Sequence, residues 1–450
     1  MSASSSMQWD RLLSSDRPYP SSVPQTQPES RPDPRYGRSD FQRDIDRIIF
    51  SDHFRRLARK TQVHPLNEND HLHSRLTHSL ETSSVGRSLG EEVGYFLQDL
   101  GELPADVLPH QVGQLVHAAC LAHDIGNPPF GHSGENAIKD WFKDNHRYID
   151  DLPPEEQSDF TRFDGNAMSF RILASTGFVR TGMNMTYALL GTLLKYPWLS
   201  AKCTTKDKFN FFQSEKNLMG KLQDELGLLG ENGVLCRHPL AYLTEAADDI
   251  CYRIIDIEDA TEVGILEHNF MVDSFRHALD LSQDKYEKYL AQHFRQRNSR
   301  LRATLINRAT QEVVAAFKQH YAAIMDGSFD PGKGLMDIGE SGVCREIYDL
   351  YDSIEDRLFL SKRKIILEIG AQNTLGVLLE TIMREADRAC SGNSAAGRGK
   401  LGCILGKDLV DDILQREKSR YWMCMAALDY VSGMSDHYAA EMSRKFMGLN

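Results

Sequence analysis

Apolar residues recur along most of this chain at the spacing of one helix face. Phe41, Ile45, Ile48 and Ile49 open the series, followed by Phe54, Leu57 and Ala58. Recurrence at i, i+3/i+4 and i+7 is what a helix with one buried stripe requires. The same pattern predicts helices over about 75–100, 111–123, 132–145, 164–175, 184–195, 238–268, 270–296, 300–325 and 342–390. Long runs alternating polar and β-branched residues, the mark of a half-buried strand, are scarce. The predicted class is all-α.

Three stretches are distinguished by texture. Residues 14–39 hold six of the sixteen prolines, separated by Ser, Gln and Arg, and cannot bury enough apolar surface to fold alone. Residues 1–39 are therefore read as a flexible, Pro-rich N-terminal arm that orders only against the body or a neighbouring subunit. The body divides into a core over 40–260 and a helical region over 261–450 packed on it. Within the latter, Ser391-Gly-Asn-Ser-Ala-Ala-Gly-Arg-Gly-Lys400 is the clearest flexible loop. There is no internal repeat.

Composition narrows the class without naming a function. With 41% hydrophobic and 26% charged residues, the chain has the balance of an ordinary globular protein. It has no run of eighteen apolar residues to suggest a membrane span. Its polar start, Met1-Ser-Ala-Ser-Ser-Ser-Met7, lacks the apolar core of a signal peptide. A cytoplasmic location is expected. The eight cysteines contain no C-x-x-C pair, which gives neither a zinc ribbon nor a redox motif. The net charge of −12 opposes nonspecific binding of polyanions, so a polyanionic ligand needs a local reversal of the field.

Three segments carry candidate chemistry. In Leu121-Ala-His-Asp-Ile-Gly-Asn-Pro-Pro-Phe-Gly-His-Ser-Gly-Glu135, an apolar helix from Val112 runs up to His123, and Gly126 and Pro128-Pro129 stop it. His123 and Asp124 thus lie at a helix end, where imidazole and carboxylate can turn toward one point. That donor pair suits Mn, Fe, Mg or Zn, and the absence of nearby thiolates argues against a structural zinc site. Alone, a His-Asp dipeptide is ordinarily satisfied locally. Upstream, Arg75-Leu-Thr-His-Ser-Leu-Glu81 puts His78 on a helix face with Val85 and Leu89, where a core histidine would sit equally well. Downstream, Leu243, Ala247, Ile250, Ile254 and Ile257 form an aliphatic stripe, and Asp248, Tyr252 and Asp256 line the opposite face at i, i+4 and i+8. Asp249 points nearer the aliphatic edge, so geometry favours Asp248 as a ligand over its neighbour. A solvated acidic face is the ordinary alternative.

Taken in order, His78, His123-Asp124 and Asp248 resemble the H…HD…D signature of the HD metal-dependent phosphohydrolases. More closely, the chain resembles the bacterial dGTP triphosphohydrolases and their dGTPase-like relatives. The matching text is Phe54-Arg-Arg-Leu-Ala-Arg-Lys-Thr-Gln-Val63, Arg75–Glu81, His123–Glu135, Asp164-Gly-Asn-Ala-Met-Ser-Phe-Arg171, Leu194-Lys-Tyr-Pro197 and Glu245–Tyr252. It runs through most of residues 41–260 and becomes vague beyond about 270.

The resemblance implies an HD-type helical fold over 40–260, with additional helices from the C-terminal half serving oligomerisation or regulation. It implies one divalent ion (Mn, Mg, Fe or Co) held by His78, His123, Asp124 and Asp248. It assigns His132 as general acid, with Glu135 orienting it. Gln62 takes a sugar- or base-contacting position, Asp256 reaches the 3′-hydroxyl, and Tyr252 packs under the deoxyribose and rejects a 2′-hydroxyl. Arg75 and Lys195 become phosphate partners, and Asn127 and Asn166 polar partners in the same motifs. The implied reaction converts a deoxynucleoside triphosphate, dGTP foremost, to deoxynucleoside and inorganic triphosphate. The family also implies a homo-oligomer, commonly a hexamer, and in some members a dNTP activator or bound single-stranded DNA.

Two further stretches bear on partners. Arg295-Gln-Arg-Asn-Ser-Arg-Leu-Arg302 is basic but lacks the aromatics that stack on single strands. Lys202, Lys206 and Lys208 beside Phe209, Phe211 and Phe212 read equally as a loop over the pocket or a strand-binding surface. Two other functions remain as alternatives: an HD phosphatase or phosphodiesterase, and a nucleotide- or DNA-binding regulator with vestigial catalysis. Intact candidate ligands and an intact His132–Glu135 pair argue against the second.

Overall fold

The computed structural model describes residues 6–19, 37–62, 72–174, 183–203, 207–228, 235–359, 362–390, 395–416 and 419–449. Among them the chain is all-α, and its extended pairings are two isolated bridges, Thr61 with Ser74 and Leu199 with Phe211. The expected helices appear as Arg75–Leu100, Pro109–Ala122, Gly131–Asp144, Gly165–Leu173, Tyr187–Thr192 and Ala241–Glu262.

Three expectations need correction. The single helix over 270–296 is instead His268–Ala278 and Gln283–Leu290, with Phe294–Met325 beginning inside the same span, and the one over 342–390 is instead Val343–Phe359 and Lys362–Cys390, residues 360–361 lying outside the described ones. Asp280 adopts a left-handed φ of 46°, which ends the first helix and bends the chain. The flexible loop at 391–400 is helical from Ala395, within Ala395–Leu405, while 391–394 lie outside the described residues. Burial of Leu401 supplies the packing that overrides the weak helix propensity of Gly397 and Gly399.

Apolar side chains gather in two cores. The first joins Val85, Leu89, Leu115 and Ile250 to Leu301, Phe317 and Ile354; the second joins Ile138, Phe142 and Phe160 to Leu375, Ile382, Met425 and Leu428. Both therefore draw on residues from either side of position 260. From the N-terminal arm, Met7, Trp9, Leu12 and Leu13 are buried in the first core. The Trp9 indole donates to the Tyr321 hydroxyl at 2.7 Å, and Arg17 pairs with buried Asp44 at 2.6 Å. Residues 20–36 of the arm lie outside the described residues.

Among the described residues one helix, over Ile365–Ala389, is long and apolar enough to cross a membrane by length and composition. Its Leu375, Leu378, Leu379, Ile382 and Met383 are buried in the second core.

Candidate active site

Close helix packing brings the candidate ligands together. The Arg75–Leu100 helix is capped by Ser74, whose hydroxyl accepts from the Thr77 amide at 3.2 Å, and it carries buried His78 in its first turn. On one face of this helix stand Gly86, Gly90 and Gly94. A Cβ at Gly94 would come within 2.5 Å of the Pro109 carbonyl oxygen, and one at Gly90 within 2.9 Å of that of Val112. Glycine thus lets Pro109–Ala122 lie directly on the first helix. That second helix ends at Ala122, and the turn after it presents His123 and Asp124. Ser169 fixes the turn, its hydroxyl donating to the His123 carbonyl and accepting from the Gly126 amide, both at 2.9 Å. The Ala241–Glu262 helix supplies Asp248 from the other side.

These groups converge. His78, His123 and Asp124 offer ligand atoms within 4.8 Å of one another. Asp248 Oδ1 lies 2.9 Å from His78 Nε2 and 3.4 Å from His123 Nε2, and Asp124 Oδ1 lies 3.6 Å from His123 Nε2. The His123 Nδ1 atom is tied to the Cys120 carbonyl at 2.7 Å, which turns Nε2 inward. That outer contact is what fixes the tautomer of a metal-binding imidazole. Two imidazoles and two carboxylates around one point fit a divalent ion of borderline hardness.

The electrostatics point the same way. Burial opposes charge on His123, but Asp124 and Asp248 outweigh it and raise its pKa to about 9. Burial likewise opposes charge on Asp248, and His123 with His78 holds its carboxyl well below the usual carboxylate range. For Asp124 the burial effect is overcome first by Arg75, which pairs with it at 2.6 Å. This is a nest of anions whose positive charge, without an ion, resides on an imidazole and a guanidinium.

Beside this floor the chain climbs through Phe130, a non-glycine residue at φ 67°, into the Gly131–Asp144 helix. His132 stands exposed there, its Nδ1 3.1 Å from Glu135 Oε2. Glu135 is buried, accepts from the Gly165 amide at 2.8 Å and pairs with Lys208 at 3.1 Å. Burial would neutralise the carboxyl, yet Lys208 foremost, then His132, keeps it ionised, well below its usual range.

The residues line a cavity of 430 Å³. Gln62, Arg75, His123, Asp124, Asn127, His132, Glu135, Asn166, Lys195, Asp248 and Tyr252 all face it. Two expected site residues do not. His78 is fully buried behind Asp248, and Asp256 is buried one helix turn beyond Tyr252, with the Tyr351 hydroxyl 3.0 Å from its Oδ2. Asn127 turns its amide to Asp124, and Lys195 is paired with Glu245 at 3.1 Å.

The structure also adds residues that sequence reasoning did not assign to the site. Lys208, Glu245, Asp249, Asn210 and Thr61 line the cavity, and Tyr351 places its hydroxyl 2.9 Å from that of Tyr252. Lys208 carried a signal, as a cation in an aromatic stretch. That stretch is no strand-binding platform, because Phe209, Phe211 and Phe212 are wholly buried. In the arginine cluster, Arg302 pairs with Glu258 and Arg297 donates to His268 at 2.7 Å.

Comparison with known proteins agrees with this architecture. Residues 75–160 match the HD domain family model. A deoxyguanosinetriphosphate triphosphohydrolase-like protein of Pseudomonas aeruginosa is 40% identical, the alignment covering 92% of this chain and 94% of the relative. One from Synechocystis is 34% identical over 99% of this chain and 100% of its own length. The deoxyguanosinetriphosphate triphosphohydrolase of Klebsiella pneumoniae is 28% identical over 91% of this chain and 94% of its own. With His78, His123, Asp124 and Asp248 gathered on an all-α scaffold and relatives this similar over nearly its whole length, the chain belongs to the deoxyguanosinetriphosphate triphosphohydrolase-like family of HD-domain proteins.

Proposed function

We propose that the chain hydrolyses deoxynucleoside triphosphates, dGTP foremost, to deoxynucleoside and inorganic triphosphate. One observation carries the reading: His123, Asp124 and Asp248, backed by buried His78, form the floor of a cavity whose rim holds the His132–Glu135 pair. His78, His123, Asp124 and Asp248 would hold a divalent ion, which supplies an activated water and a polarised phosphoryl oxygen when bound. The remaining work falls to the chain. Attack at the α-phosphorus breaks its bond to the 5′-oxygen, a poor leaving group that needs a proton. His132 is exposed to the cavity and delivers that proton, while Glu135 keeps the imidazole oriented.

Arg75 and Lys195 answer the charge of the triphosphate, and both are already neutralised by carboxylates in the free protein. Lys195 therefore exchanges Glu245 for phosphate or shares itself between them. Gln62 presents a buried Oε1 with no hydrogen-bond partner among the described residues, an acceptor suited to a sugar or base donor. Tyr252 packs under the deoxyribose and excludes a 2′-hydroxyl, a clash built against the competitor.

The test is incubation of the protein with each dNTP, with GTP and with dNTP mixtures, in Mn or Mg. Products are read by phosphorus NMR and chromatography. Triphosphate from dGTP but not from GTP is expected. Orthophosphate or pyrophosphate as the first product would replace this reaction with a phosphatase or a different cleavage point. No product under any condition would leave a nucleotide-binding regulator.

A further inference from the structure

The Thr61–Gln62 segment and the turn from Asn127 to His132 reach the cavity from separate parts of the chain, and both are hung on one distant stretch, Ser432 to Asp436. Lys60, buried, donates from Nζ to the Asn127 carbonyl and, at 2.7 Å, to the Ser432 carbonyl. Next to Lys60, Thr61 donates from its amide at 3.0 Å and from its hydroxyl at 2.7 Å to Oδ2 of Asp436. The other oxygen of the same carboxylate accepts the Phe130 amide at 2.9 Å. Asp436 is 1% exposed and is the first residue of the Asp436–Phe446 helix, where the N-terminal amides favour a negative charge.

We propose that Asp436 is a positioning residue for this site, holding Gln62 and His132 in register across the cavity; the inference rests on the triphosphohydrolase reading above. Each of its oxygens serves a different wall. Oδ2 fixes Thr61, whose next residue is Gln62. Oδ1 fixes Phe130, two residues before His132. Phe130 sits in the left-handed region, which a residue with a side chain occupies only where its surroundings hold it. The carboxylate accepts at both oxygens, whereas an amide has one acceptor and cannot keep both walls. Asp436 touches neither the cavity nor the ligand cluster, so its effect passes through the backbone of the two segments.

The full-length chain is compared with D436N, T61V and S435A. The two arms are separable. T61V removes the Thr61 hydroxyl bond and leaves Phe130 held, so it raises KM for dGTP about threefold with kcat unchanged. D436N loosens both walls, raising KM and lowering kcat by about tenfold or more, because small displacements of reacting groups are costly. S435A loses the side-chain cap of the same helix, which accepts the Tyr438 amide at 3.3 Å, and stays within about twofold of the parent on both constants. A D436N enzyme within twofold of the parent, or T61V and S435A alike in KM, overturns the proposal. If D436N does not fold, the T61V and S435A pair decides.

A parent protein that releases no triphosphate is a failure of the functional reading and not of the clamp. Amide hydrogen exchange then tests the clamp without substrate. In D436N, exchange at Thr61 and Phe130 accelerates while exchange in the Pro109–Ala122 helix is unchanged. Unaltered exchange at both amides overturns the proposal.

Discussion

His123 must shed a proton before it can ligate, and Asp124 and Asp248 hold that proton up to a pKa of about 9. Ion binding below this value therefore releases it. The apparent affinity for Mn should rise by about tenfold per pH unit between 7 and 9 and level off above, as one proton per site predicts. Calorimetry in buffers of different ionisation enthalpy counts the proton, and a flat affinity over this range would falsify the arrangement. At the same scale, His132→Ala should lower kcat by about 10²–10⁴ with Mn affinity unchanged, while His123→Ala abolishes Mn binding and turnover together. These residues were legible in the sequence because each stands in a short contiguous motif, His123-Asp124 and His132…Glu135 within one segment. The pairings of Lys208 with Glu135 and of Glu245 with Lys195 were not, because only folding sets a cation against its distant carboxylate.

Among elements, the contact of Arg75–Leu100 with Pro109–Ala122 sets the distance from His78 to His123. Gly94→Val forces a side chain against the Pro109 backbone, and overpacking of this kind costs about 1–3 kcal/mol. A lowered Tm with weakened Mn binding is expected, and a normal Tm would show that the crossing can relax. The glycine spacing was present in the sequence as small residues at i, i+4 and i+8, a signal that apolar periodicity overlooks. The start of the same helix is tied down by His73, which bonds Asp259 at 2.7 Å and approaches Glu81 at 3.5 Å. Burial lowers the pKa of His73, but its hydrogen bonds to the Asp259 and Glu81 carboxylates prevail and lift it to about 10. A pKa raised on folding gives stability that is complete below the unfolded value of about 6.5 and is lost as pH rises through about 10. Wild type should therefore exceed His73→Gln by about 1.5–3 kcal/mol at pH 6, with the gap closing toward pH 10.5 in urea titrations. A gap independent of pH would deny the imidazolium its part.

For the molecule as a whole, the second core is joined to the site helices by a buried ion network. Arg171, 1% exposed, pairs with Glu215 at 2.7 Å and with Asp429 at 2.7 Å. Asp429→Ala takes one carboxylate from a desolvated guanidinium and should cost about 3–5 kcal/mol in urea unfolding. A loss below about 1 kcal/mol would mean that solvent reaches Arg171. The all-α class was legible from periodicity, and so was the helix run to Glu262. The meeting of the two cores was not, because Arg171 and Asp429 are 258 residues apart and neither neighbourhood hints at the other. The break at Asp280 escaped for the opposite reason: a one-residue change of backbone sign leaves the surrounding apolar spacing almost intact.

The bond from Phe130 to Asp436 joins residues 306 positions apart. At ribosomal rates of about 5–20 residues per second, roughly 15–60 s pass between making one and making the other. Throughout that interval the growing polypeptide already contains His78, His123, Asp124 and, later, Asp248, but lacks the carboxylate that steadies both walls. Nascent chains and fragments ending before residue 436 should accordingly turn over poorly. Synthesis itself would then delay the moment at which each copy becomes active.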